Sequence, residues 1–149
     1  MPAGNAATNL EGVSVDFLEL ARRFVYPRTD TPEAAWEAAT NSGYAGAIMA
    51  ISHMLLGGIL LFTPAPIVGG LVQLGFGFVY ILVARLAFHR SRFASIVILG
   101  LIAFDILVEL VLAPGLGPNH FFVLLALILA IGGFRATNAV FTRHGRPRP

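Results

Sequence analysis

Four side chains stand out in this 149-residue chain because of where they sit. His53, Gln73, Asp105 and Glu109 each lie inside a long run of apolar residues. An ionisable group in the middle of a membrane-crossing helix costs roughly 2.5–3.5 kcal/mol on insertion scales, so such groups are the first functional leads. Asp105 and Glu109 are one helical turn apart and share a face. Imidazole beside carboxyl is what a proton path or a cation-coupled site needs. The same groups also serve as a structural lock that holds helices together, or as partners for an arginine of another subunit. The residue types alone leave these three uses open.

The elements that carry these groups are legible from composition. The chain is 56% hydrophobic and 12% charged, with a mean hydropathy of +0.78. A soluble domain carries about 25% charged residues, so a soluble globular monomer is excluded. The apolar excess falls in four blocks, Tyr44 to Phe62, Ile67 to Phe88, Phe93 to Ala113 and His120 to Val140. Each has the roughly 20 residues that a spanning helix needs. Between them stand Thr63-Pro64-Ala65-Pro66, Arg90-Ser91-Arg92 and Pro114-Gly115-Leu116-Gly117-Pro118-Asn119. The expected fold is an all-α integral membrane protein of four transmembrane helices in an antiparallel bundle. Gly46, Ala50, Gly69, Gly77 and the Gly132-Gly133 pair offer the small faces through which helices associate in lipid.

Orientation follows from charge. All ten basic residues are arginine. Arg22, Arg23 and Arg28 precede the first span, Arg85, Arg90 and Arg92 flank the second connector, and Arg135, Arg143, Arg146 and Arg148 close the chain. The other two connectors carry no charge. The positive-inside rule then puts both termini in the cytoplasm. Arg85, Arg90, Arg92, Arg135 and Arg143 are expected at the cytoplasmic interface against lipid. The high isoelectric point is a topology signal, and no nucleic-acid partner is expected. Arginine without lysine, with many alanines and glycines, points to a GC-rich bacterial genome and hence to the inner membrane.

Residues 1–43 are expected to form a cytoplasmic segment. Its first twelve residues lack the cation and apolar core of a secretory signal. At about 13–26 the apolar positions Val13, Phe17, Leu20, Ala21 and Phe24 recur at helical spacing, which predicts an amphipathic interfacial helix ended by Pro27. A short helix at about 31–41 is predicted from Pro32 in its first turn, with Asp30 or Thr31 as cap and Glu33 at capping-box spacing from Asp30. Residues 141–149 read as a basic tail.

Depth connects the polar residues. His53 lies about nine residues into the first span and Asp105 about twelve into the third, a difference of only ~5 Å at 1.5 Å per residue. They share a hydrogen bond if those spans adjoin, and Glu109 then leads toward the outer side. The histidines do not match in depth as haem ligands do, and His120 beside Asn119 most simply caps a helix start. With no cysteine and no lysine, thiolate and Schiff-base chemistry are excluded. No catalytic motif is present, and no catalytic residue, metal or cofactor is assigned. Two functions follow. The first and preferred one is an accessory or scaffold subunit of a larger membrane complex, partnered by lipid and by other subunits or by itself. The second is a small oligomeric proton- or cation-coupled transporter or channel using His53, Asp105 and Glu109.

Overall fold

The computed structural model describes residues 22–64, 67–112 and 119–144, and every element among them is helical. In chain order these are α1 (Pro32–Ala39), α2 (Asn41–Leu61), α3 (Ile67–Phe88), α4 (Arg92–Leu112), α5 (Asn119–Ala139) and a π-helical turn, Val140–His144. Four helical stretches are long and apolar enough to cross a membrane. The amphipathic helix expected at 13–26 lies mostly outside the described residues. Of it, residues 22–25 are helical, with Tyr26 N–H donating to the Arg22 carbonyl over 2.8 Å.

The helix ends have local causes. Thr31, rather than Asp30, caps α1, its hydroxyl accepting from Ala34 N–H at 3.2 Å, with Pro32 opening the first turn. This choice moves Glu33 out of capping-box register. The Thr40 hydroxyl bonds back to the Glu37 carbonyl at 2.6 Å, where α1 gives way to α2. Between α3 and α4 the connection is three residues long, His89 to Ser91. Ser91 N–H bonds Leu86 O and Arg90 N–H bonds Ala87 O, the double closure that needs a left-handed residue after the helix. Arg90 occupies that position at φ 62°, where glycine is usual. Ser91 then caps α4 through its hydroxyl and Ala94 N–H. The basic tail begins later than expected, because residues 140–144 continue the helical path and Thr142 bonds the Asn138 carbonyl at 2.8 Å.

Small residues decide how closely the helices approach. A Cβ on Gly57 would lie 2.9 Å from Leu74 and from the Gly70 carbonyl oxygen. One on Gly77 would meet Met54 at 2.9 Å, and one on Gly46 would meet Ala84 at 2.9 Å. Along this seam residue numbers rise on α2 as they fall on α3. The core is accordingly rich in alanine, with Ala45, Ala50, Ala87, Ala94, Ala126 and Ala130 around Met49, Tyr80, Ile98 and Ile102. The stretch containing α5 is the most enclosed of the four, half of it buried against about a quarter of each of the others. Gly133 lets α5 touch the Ser42 backbone, and Gly132 faces the Phe24 carbonyl.

One expected packing position is displaced. Gly69 has nothing within 4 Å of an added Cβ, whereas its neighbour Gly70 faces Leu61 and Gly57. At about 100° per residue, Gly70 and Gly77 are only ~20° apart around α3, while Gly69 and Gly77 diverge by ~80°. Outside the seam, Ile51, Leu55, Ile59, Leu71, Leu82 and Leu110 are exposed, as befits helix faces meant for hydrocarbon.

The adjacent glycines of α2 provide a matched test. Gly57→Leu must separate α2 from α3 and is expected to destabilise by about 1–3 kcal/mol, the usual range for overpacking. Gly58 faces open space, so Gly58→Leu is expected to leave unfolding in detergent unchanged. Equal loss in both variants would contradict this packing.

Candidate functional site

The polar residues of the spans converge on the ring of His53, near the middle of α2. Three helices contribute. Gly77 admits α2 close to α3, so that His53 reaches Gln73, which faces its Nδ1 through the amide oxygen. On the other side His53 Nε2 lies 3.0 Å from Asp105 Oδ2 on α4. The same oxygen accepts from the Tyr80 hydroxyl at 2.6 Å. Asp105 Oδ2 thus accepts from Tyr80 and lies in hydrogen-bond reach of the imidazole, whose role depends on its tautomer. Phe76 and Tyr80, one turn apart on α3, stack on the imidazole with ring centroids 5.9 and 5.3 Å away. Phe76 in turn stacks on Phe104 beside Asp105. The pair is largely enclosed, with His53 and Asp105 side chains 12% and 13% exposed.

The Gln73 amide can meet His53 Nδ1 through either its oxygen or its nitrogen. With its amide oxygen on Nδ1, both ring nitrogens face acceptors, the pattern of an imidazolium. Turned over, the amide donates to Nδ1 and suits a neutral ring with its proton on Nε2. Amide orientation follows the surrounding network. The two states differ by one proton on the ring. Chemically, the site is a buried acid–base pair with a tyrosine hydroxyl holding the acid and an amide adjusting to the base.

Glu109 belongs to a second acid–imidazole pair. It lies one turn beyond Asp105 on α4 and pairs with His120 at the start of α5, Oε2 to Nε2 at 3.6 Å. His120 therefore acts as more than a helix-start residue. Exposure rises along the series, from 12–13% at His53 and Asp105 to 21% at Glu109 and 35% at His120. The two acid–imidazole pairs share the polar face of α4.

Two of the arginines stand over aromatic rings of the fold. Arg90 stands 4.7 Å over the Trp36 ring, which accounts for arginine at the left-handed turn position. Arg135 stacks 4.2 Å over Tyr26 and so holds the segment before α1 against α5. Arg85 and Arg92 are exposed. Arg143 lies in the π-helical turn, and its side chain is outside the described residues.

Sequence reasoning missed Tyr80, the largest fully buried side chain. The available signal was its position. Tyrosines of spanning helices gather at the interfaces, whereas Tyr80 lies well inside α3, seven residues beyond Gln73 and therefore on the same face. Protein-family models, curated proteins and solved structures were compared with the chain, and none matches.

The shared oxygen of Asp105 predicts coupled energetics. In a double-mutant cycle of Tyr80→Phe and Asp105→Ala, measured by unfolding in mixed micelles, the coupling is expected at about 0.6–1.7 kcal/mol, the range found for hydrogen bonds between membrane helices. Tyr80→Phe with Glu109→Ala is expected to be additive. Zero coupling in the first cycle would contradict the bond.

Proposed function

We propose that this chain is a small multi-pass protein of the bacterial cytoplasmic membrane that exchanges protons through the His53–Asp105 pair. The carrying observation is the imidazole held between Gln73 and Asp105 in the middle of the spans. A structural lock needs only one satisfied hydrogen bond across each interface. Here the base has an adjustable partner on one nitrogen and an acid on the other, and a second acid–imidazole pair lies one turn further along α4. Glu109 and His120 then connect the central pair to the outer side, while Gln73 follows the proton on His53. Proton transfer requires donor and acceptor in hydrogen-bond reach, and the 3.0 Å separation satisfies it.

The wider arrangement of this reading is an antiparallel four-helix bundle with both termini in the cytoplasm and an amphipathic helix lying in the interface before α1. The arginine distribution supports the orientation. The chain has no cysteine, so single introduced cysteines report sidedness. Thr63→Cys is expected to react with an impermeant maleimide on intact cells, and His89→Cys only after the membrane is opened. The opposite pattern would reverse the orientation.

An accessory or scaffold role has one observation in its favour. Gly58, Gly69, Gly75 and Gly100 have open space where a Cβ would stand, so they offer close approach to a helix of another chain. The two readings separate in purified material. The protein alone in proteoliposomes is expected to dissipate an imposed pH gradient. Asp105→Asn should slow this about a hundredfold, within the usual contribution of a positioned proton-transfer group, while remaining monodisperse. No flux from the wild-type protein, together with a stoichiometric foreign subunit retained in mild detergent, would instead support the accessory role.

A further inference from the structure

The outer flank of the α2–α3 seam carries an apolar groove of about 500 Å³. Ala47, Ala50 and Ala84 form its floor, and Ile51, Met54 and Ile81 its walls. The floor is low because the helices meet through small residues, with Gly46 against Ala84. The two basic side chains of the lining, Arg85 and His89, stand at one end. Arg85 is in the last turn of α3 and His89 directly follows that helix, its N–H bonded to the Arg85 carbonyl, so the two are one turn apart and face the same way. Among the described residues neither has a side-chain ion pair, and Arg90, the next cation along, is occupied by Trp36. From Ile81 to His89 the groove runs ~12 Å along α3 at 1.5 Å per residue.

We propose that this groove is a binding site for one anionic phospholipid of the leaflet on the arginine side. One acyl chain lies in the alanine-floored channel, and the phosphate rests on Arg85 and His89. Charge complementarity selects the occupant. A neighbouring apolar helix would leave the Arg85 guanidinium without a counter-charge at the rim, while a lipid supplies its phosphate at that depth, where the His89 ring can also donate to it. Basic residues at the membrane surface each contribute about a fivefold preference for anionic lipid. The groove adds shape to that preference, because its chain-binding part is continuous with the two basic side chains. The site is independent of the His53–Asp105 cluster, which involves the opposite side of the seam toward α4.

The test is native mass spectrometry of the full-length protein released from nanodiscs containing equal amounts of phosphatidylglycerol and phosphatidylcholine. The wild type is expected to retain one phosphatidylglycerol in preference to phosphatidylcholine. Arg85→Gln with His89→Gln should lower that retention by about fivefold or more. Arg92→Gln, which removes a cation outside the groove, should not. Ala47→Leu keeps Arg85 and His89 but fills the groove, and is expected to release the lipid. Equal retention of the two lipids by the wild type would overturn the proposal, as would unchanged retention in Arg85→Gln/His89→Gln or in Ala47→Leu. A helical circular-dichroism spectrum like that of the wild type assigns the loss in either variant to the site rather than to misfolding.

Discussion

A carboxyl group placed in the middle of a membrane-spanning helix must find its partners within the protein, because the hydrocarbon offers none. For Asp105 those partners are a histidine from α2 and a tyrosine from α3. This single requirement fixes the mutual placement of three helices. It sets the rotation of α4, which must present Asp105 inward. It sets the depth of α2, since His53 must arrive level with the carboxyl. It also makes Tyr80 an interior residue rather than an interfacial one.

Close packing is the second half of the arrangement. In lipid, helices gain little from hiding apolar surface and associate instead through contact and hydrogen bonding. Gly57, Gly70 and Gly77 bring α2 and α3 near enough for a short polar side chain such as Gln73 to reach the His53 ring. Larger residues there would hold the imidazole away from its amide and leave a buried nitrogen unsatisfied, which costs more than the contact itself supplies. The same small residues leave a shallow channel on the far side of the seam, where Ala47, Ala50 and Ala84 lie beneath Arg85 and His89. Thus one sequence feature, alanine and glycine along a helix face, shapes both a polar centre and an apolar surface.

How much of this is legible without a structure depends on range. The four spanning helices follow from the length and polarity of the apolar blocks, because the membrane makes hydrophobic length nearly equivalent to helix length. The nearness of His53 and Asp105 in depth follows from counting residues at a fixed rise. Which residues meet across helices depends on rotation about each axis, where an error of one residue turns the face by about 100°. That is why Gly69 reads as a packing position although Gly70 fills it, and why Tyr80 escapes notice although it shares a face with Gln73. The pairing of Glu109 with His120 is invisible for a different reason. It joins two ends of neighbouring helices through a Gly- and Pro-containing connector, whose path no periodicity specifies. Arg90 at a left-handed turn position is likewise unexpected, since its support comes from Trp36, 54 positions earlier in the chain.

Proton exchange at this site requires that the His53 ring gain and lose a proton within its three-helix setting. The most direct measurement is nitrogen NMR of isotope-labelled histidine in the full-length protein in bilayers, with the His53 signals identified by loss in His53→Gln. Between about pH 5 and pH 8, the range in which imidazole charge ordinarily changes, His53 Nδ1 is expected to pass between protonated and unprotonated states while Nε2 keeps its proton toward Asp105. In Asp105→Asn that passage should move to a different pH. A ring that holds one protonation state throughout, in the wild type and the variant alike, would contradict proton exchange and leave the cluster as a fixed structural tie.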